Sequence, residues 1–395
     1  MKILVTTFTF FPNMDGVAIA CASLCNVLLE SGHKVHVATS RVAGTETTSL
    51  RKGVSIRRFA IYNSRLSESA DREKAEYLRY LIKEDFDLII NQNWNSWTTE
   101  LFLKASKKLR AKCILVSHGL TPHIFSPHSR PFWGLGQWLE GLRWSFAFLP
   151  RMLQAHDAFV FLADHSDWAR FLDVKICKTL YPHRTWIIPN TVTDLHLAQN
   201  SPSVRTSILG GRRLLSVYVA NFCERKDQLR AVRIFANSGL RNSVLVLVGS
   251  EANEYSHVVS AWIRHHQPQL DLRGQQILVQ TGLSRKRTME ITASSDIVLL
   301  SAKSETQPLV LIEAMALRKP WIAMNSGCIQ TMQGGLVCRT ESDFTRALTK
   351  LGSSTRRRQQ LGSEGYRHFV STHAPEIFSF HWQTLVNNMF NGKNY

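Results

Sequence analysis

The sequence predicts an α/β protein of two Rossmann-like parallel-sheet domains facing a cleft. Three observations carry that prediction. The chain has 395 residues, more than one ordinary domain needs and comfortable for two. Apolar runs rich in Val, Ile and Leu alternate with helix-period segments along almost the whole length. Stretches such as Ser243–Gly249 (SVLVLVG) and Asp296–Ser301 (DIVLLS) are continuously apolar, as strands covered by helices on both faces are.

In chain order, strands are predicted at 2–9, 34–39, 54–60, 86–91, 112–117, 158–163 and 185–188. They resume at 213–220, 243–249, 276–281, 296–301, 321–325 and 335–339. Repeated βα units of this kind indicate a doubly wound sheet. The polar stretch Leu197–Ser203, followed by Gly210 and Gly211, has linker composition. It divides the chain into a first domain, 1–198, and a second, 208–372. In the remainder, 373–395, Ile377, Phe378, Trp382, Leu385, Val386 and Met389 follow a mostly helical spacing. No strand comes after them, so a helix crossing back to the first domain is expected.

Composition narrows the class. The chain is 44% hydrophobic and 20% charged, which excludes collagen-like and largely disordered proteins. No uninterrupted apolar run approaches bilayer-spanning length. The start, Met1-Lys2-Ile3-Leu4-Val5, reads as a strand and lacks a signal-peptide layout. Seven scattered Cys without CxxC pairing read as reduced thiols in a cytoplasmic chain. Net charge is +18, and residues 101–150 hold seven basic groups against the single acid Glu140. Such an excess attracts phosphates, whether of nucleic acid, anionic lipid or nucleotide.

Three loops carry candidate chemistry. The first runs from Thr9 to Gly16 after the first strand. Ligands of open α/β sheets bind beyond the carboxyl ends of strands. Gly16 at a helix start lets a phosphate approach backbone N–H groups, although a simple turn glycine reads the same way. The pattern is not G-x-G-x-x-G, which disfavours a dinucleotide. The second loop, Asn221–Asp227, brings Arg225 and Lys226 to a strand end, where they suit a diphosphate or form a solvated basic turn. The third, Ser304–Ala316, is SETQPLVLIEAMA. Pro308 suits a first helical turn, which leaves Glu305 in the loop and Glu313 more than one turn into the helix. Glu305 is placed to accept bonds from a sugar's hydroxyls, and Glu313 to reach a ribose diol. The plain alternatives are a helix cap for Glu305 and a solvated face for Glu313.

Together these features resemble the retaining glycosyltransferases of family 4, which have the two-domain GT-B fold. Glu305 and Glu313 match that family's E-x7-E motif. Ile187–Val192 (IIPNTV) resembles its "IPNGVD" end to the first domain, Asn221–Lys226 its donor loop, and Leu247–Gly249 its "VGDG" strand. The order holds over nearly the whole chain. The resemblance implies a nucleotide-sugar donor, UDP- or GDP-linked, used as substrate, with no cofactor and no metal. It implies that Gly16 admits the donor diphosphate and that Lys226, beside Arg225, neutralises the leaving group. Glu305, with the backbone of Thr306, Gln307, Pro308, Leu309 and Val310, would hold the sugar, and Glu313 the ribose. His118, in LVSHG, matches the histidine that ends a first-domain strand beside the reacting sugar; a hydrogen-bonded core histidine is the alternative. The implied catalytic set is His118, Lys226 and Glu305. Asn221 stands where the family usually has Arg, Thr191 where it has Gly, and Leu317-Arg318-Lys319 lacks the Gly common after "EAMA".

Asp85-Phe86-Asp87 has the D-x-D spacing of metal-dependent enzymes but opens a buried-looking strand. The stretch 130–154 sets Trp133, Trp138 and Trp144 beside Arg130, Arg143 and Arg151, the composition of a helix at a membrane interface or of an inward-packed one. Contact with the inner face of the cytoplasmic membrane implies a lipid-linked or glycan acceptor, as in bacterial surface-polysaccharide or lipopolysaccharide assembly. Two other readings share features with the chain. One is a GT-B nucleotide-sugar epimerase, and the other is a basic nucleic-acid-binding protein, for which no recognition signature is present.

Overall fold

The structure, a computed structural model, describes residues 1–61, 68–119, 144–164, 172–198 and 202–391. Two compact units divide the chain: Met1–Pro189 with Phe378–Tyr395, and Asn190–Ile377.

The first unit holds strands β1 (Lys2–Thr6), β2 (Lys34–Ser40), β3 (Thr48–Arg51), β4 (Val54–Phe59), β5 (Leu88–Gln92), β6 (Lys112–Ser117), β7 (Ala158–Phe161) and β8 (Thr185–Ile187). They form one sheet in the order β3-β4-β2-β1-β5-β6-β7-β8. Every pairing is parallel except β3 with β4. β3 is absent from the sequence reading, and the reason is physical. It is a short edge strand whose residues are mostly exposed, so it carries no apolar run.

Alternation along β1 sends Ile3 and Val5 to one face and Leu4 to the other. The Ile3 face packs on the helix Gly16–Glu30 through Cys21, Leu24 and Leu28. The same cluster takes Phe378, Trp382, Leu385 and Val386 from the C-terminal helix Pro375–Asn391. That helix starts in the second unit and returns its apolar stripe to the first. The Leu4 face packs on Tyr77, Tyr80, Trp97 and Phe102.

The second unit holds β9 (Leu214–Val219), β10 (Ser243–Gly249), β11 (Gln275–Thr281), β12 (Ile297–Leu300), β13 (Trp321–Met324) and β14 (Gly335–Cys338). Their order is β11-β10-β9-β12-β13-β14, all parallel. β10 is buried at every residue, as its unbroken apolar run requires. In both sheets the strand order reverses beside the first strand of the unit, at β1/β5 and at β9/β12. A crevice opens at such switch points, at the carboxyl ends of the strands.

Most of 130–154 lies outside the described residues. Its end does not: Leu149, Met152 and Leu153 are buried in the helix Leu149–Ala155, while Phe146 is exposed. Among the described residues no helix is long and apolar enough to cross a membrane.

Candidate active site

The second unit builds its site on two loops that leave the carboxyl ends of the adjacent strands β9 and β12. Hydrogen bonds to the main chain zip the loops together. Lys303 N donates to the Arg225 carbonyl at 2.8 Å, and Ser301 Oγ donates to the Asp227 carbonyl at 2.7 Å. Tyr218, buried on β9, donates its hydroxyl to the Lys226 carbonyl at 2.5 Å and accepts from Ser301 N at 3.2 Å. The cations are thereby fixed against the carboxylate loop. Lys226 Nζ donates to Glu305 Oε1. Exposed Arg225 donates to the Ser304 carbonyl at 2.9 Å and stands 3.9 Å from the same carboxylate. Glu305 itself is 7% exposed. A helix cap would place its side chain on the first amides of the next helix; here it meets two cations instead.

A third loop holds Glu305 from behind. Ser326 Oγ accepts from Glu305 N at 2.7 Å, and Cys328 N donates to the Thr306 carbonyl at 3.1 Å. Gly327, at φ +54°, makes this approach possible, because a Cβ there would lie 2.0 Å from the Glu305 carbonyl oxygen.

Pro308 is the N-cap of the helix Leu309–Ala316. Lacking an N–H, it adds no orphan donor there, while the amides of Leu309 and Val310 have no acceptor within the helix. Gln307 uses its side chain within the fold. Its side-chain oxygen accepts from Asn190 N at 2.7 Å, which ties the loop to the start of the unit. Asn190 and Thr191 are bound in turn to His373, whose Nδ1 donates to the Asn190 carbonyl at 2.8 Å. Asn221 is exposed, and its carbonyl accepts from Gln228 at 2.9 Å.

Glu313, one turn into the helix, is 2% exposed, so the solvated-face alternative is overturned. Its partner is Arg285, the first residue of the helix Arg285–Ser294. Arg285 Nη2 donates to Glu313 Oε1 at 2.5 Å, and the guanidinium also grips both oxygens of Asp194 at 2.8 and 3.1 Å. Burial pushes the Glu313 carboxyl up, and the Arg285 charge and hydrogen bond pull it back. Burial opposes the Arg285 charge too, but the two carboxylates outweigh it and hold the guanidinium ionised. The sequence reading missed Arg285 and Asp194. A lone Arg after a Ser cap and a lone Asp in a loop carry no local signal that they meet across 91 residues.

In the first unit Gly16 opens its helix as expected, but Asp15 is the N-cap. Its Oδ1 takes the amides of Val17 and Ala18, both at 3.0 Å, and so occupies donors a phosphate would use. His118 ends β6, where its Nε2 meets Gln92 Oε1 at 2.7 Å. Burial pushes this imidazole down to about 4, so it is neutral near pH 7 and Nε2 carries the proton given to Gln92. Asp87 of the D-x-D stretch lies at the opposite, amino end of its strand, where it accepts from Lys2 N at 2.6 Å. Among the described residues no group of three or more His, Cys, Asp or Glu is arranged to hold a metal.

The sequence profile of Glycosyltransferase Family 4 matches residues 14–192, and that of Glycosyl transferases group 1 matches 206–368. The chain belongs to this glycosyltransferase family. No curated protein matches it in sequence. Among solved structures, this glycosyltransferase is similar to sucrose-phosphate synthase from Thermosynechococcus elongatus: TM-score 0.78, 16% identity, 99% of this chain and 100% of that one. Anabaena HepE in complex with UDP and glucose aligns at TM-score 0.70 and 15% identity, over 98% and 100% of the two chains. WaaG, described as a glycosyltransferase involved in lipopolysaccharide biosynthesis, aligns at 0.69 and 15%, over 99% and 100%. At these identities the likeness establishes the GT-B fold.

Proposed function

We propose that this glycosyltransferase is retaining and metal-independent, moving a hexose from a UDP- or GDP-sugar to an acceptor hydroxyl. The observation that carries the reading is the convergence of Lys226 and Arg225 on Glu305 at the β9/β12 switch point. Two cations beside one buried carboxylate suit a sugar diphosphate, with the cations facing phosphate oxygens and the carboxylate facing sugar hydroxyls. HepE, bound to UDP and glucose, supports the nucleotide-sugar donor.

The acceptor oxygen attacks the anomeric carbon on the face the nucleoside diphosphate leaves. The C–O bond to phosphate breaks, the C–O bond to the acceptor forms, and the departing phosphate oxygen takes the acceptor proton. The anomeric configuration is kept. Lys226 and Arg225 stabilise charge growing on the leaving group, and Glu305 fixes the sugar for same-face attack. His118, neutral and held by Gln92, positions the sugar without supplying charge. Glu313 accepts from the ribose diol. The acceptor is a glycan or a lipid-linked glycan in bacterial surface-polysaccharide or lipopolysaccharide assembly, in line with WaaG, and the enzyme works peripherally on the cytoplasmic membrane face.

Thermal shift across nucleotides and nucleotide sugars tests the donor, because a selective ligand stabilises the fold by mass action. A UDP- or GDP-sugar is expected to raise Tm above every other class. The anomeric proton coupling of the product then reads the stereochemistry, and an inverted product overturns the retaining mechanism.

A further inference from the structure

The buried cluster at Glu313 holds more charge than the fold requires. Its neighbours in the same helix, Leu311, Ile312, Ala314 and Met315, are all fully buried and apolar. An apolar residue at 313 would spare the desolvation of an ion pair, which burial makes costly. Instead three charged groups arrive from three segments: Asp194 from the loop after Pro189, Arg285 from a helix start, and Glu313 from the next helix but one strand. The stoichiometry is uneven. Asp194 engages the guanidinium fork through both oxygens, while Glu313 receives one N–H on Oε1. Two carboxylates share one cation, and among the described residues no hydrogen bond falls on Glu313 Oε2.

We propose that Arg285, backed by Asp194, is a positioning residue for the donor: it holds Glu313 ionised with Oε1 occupied, leaving Oε2 to accept from the nucleotide's ribose. The inference rests on the donor reading above. It deepens that reading by assigning the group that keeps Glu313 competent. Because Glu313 is buried, its carboxylate survives near neutrality through the adjacent guanidinium. Without that cation it takes a proton and becomes a donor where the ribose hydroxyls need an acceptor. The charged groups facing Glu313 are Arg285 and, behind it, Asp194.

The test is calorimetric titration of the full chain with UDP and GDP at pH 6 and pH 8.5, for wild type, Arg285→Gln, Arg285→Lys and Glu313→Gln. Dividing each variant's affinity by that of wild type at the same pH cancels the diphosphate's own titration. Arg285→Gln is expected to bind tenfold or more weaker than wild type at pH 6 and to recover most of that loss by pH 8.5. Arg285→Lys, which keeps the cation, is expected within about threefold of wild type at both pH values. Glu313→Gln is expected to lose affinity equally at both. An equal loss for Arg285→Gln at both pH values, or none, overturns the proposal, since a scaffold role has no reason to titrate. If Arg285→Gln does not fold by circular dichroism, Arg285→Lys decides. A loss as large as that of Glu313→Gln at both pH values overturns the proposal, and rescue supports it. Wild type that binds neither nucleotide overturns the donor reading itself, and this inference falls with it.

Discussion

The ammonium of Lys226 donates to the carboxylate of Glu305 across 79 residues of sequence, and both groups are largely withdrawn from water. Each neutralises the other until a ligand arrives. A donor diphosphate offers Lys226 a richer anion, and the sugar's hydroxyls offer Glu305 neutral donors. On the proposed function, the pair is therefore a donor site held in waiting by mutual compensation.

Breaking that pair from one side exposes its energetics. Lys226→Ala leaves Glu305 buried beside only the exposed Arg225, and is expected to cost about 3 kcal/mol of stability. Lys226→Ala with Glu305→Gln together should cost clearly less than the two single effects added. Denaturant unfolding of the four proteins measures the coupling. The same Lys226→Ala variant should lose more affinity for UDP than for UMP, because its charge is assigned to the terminal phosphate. Equal losses for both ligands contradict that assignment.

Glu305→Gln and Glu313→Gln are expected to fold and to reduce transfer greatly, Glu305→Gln through a lost contact at the reacting sugar and Glu313→Gln mainly through weaker donor binding. Wild-type turnover in either purified variant removes the central role of the carboxylate pair.

Transfer should persist in excess EDTA. In the proposed mechanism the leaving-group charge falls to Lys226 and Arg225, with the start of the helix Leu309–Ala316 beside them. Activity lost in EDTA and restored by magnesium or manganese would defeat this.

Gly327→Ala tests the loop behind Glu305. The added methyl would meet the Glu305 and Thr306 carbonyl oxygens at 2.0 and 2.6 Å, on a backbone at φ +54°. Stability should drop by about 2 kcal/mol, and donor affinity should fall with it as the carboxylate shifts. Unchanged UDP affinity in this variant would show that the loop tolerates displacement.

Acid should weaken the fold through its buried histidines. Burial pushes His156 and His373 down to about 4. Their imidazoles stay neutral in the folded state: His156 donates from Nδ1 to the Met152 carbonyl at 2.7 Å and accepts at Nε2 from Asn91 at 2.9 Å. In the unfolded chain they take protons below about pH 6.5. Stability is thus full above that pH, is lost as pH falls from about 6.5 to about 4, and levels off below. Each contributes a loss of about 3 kcal/mol when fully expressed. His156→Gln should reduce the pH slope of unfolding free energy in that window by about one proton; an unaltered slope refutes the assignment.

Much of this protein was legible in the sequence because its signals are local. The unbroken apolar run of Ser243–Gly249 suits a strand buried on both faces, and the βα alternation around it indicates a parallel sheet. Glu305, Pro308 and Glu313 lie within nine residues, so the loop place of Glu305 and the helical place of Glu313 follow from spacing, while Pro308, expected in the first turn, stands one residue earlier as the extended N-cap. β3 escaped because an exposed edge strand needs no apolar pattern, only a neighbour to pair with. What tertiary structure alone decided is which charges meet. Lys226 reaches Glu305 because β9 and β12 are adjacent at a switch in strand order, and Arg285 reaches both Asp194 and Glu313 because three segments converge. That Asp15 takes the amides of Val17 and Ala18 beside the expected phosphate loop is likewise a matter of geometry. Ion pairing between distant residues leaves no periodicity behind, since it depends on separation in space and on burial, and neither is written in the order of residues along the chain.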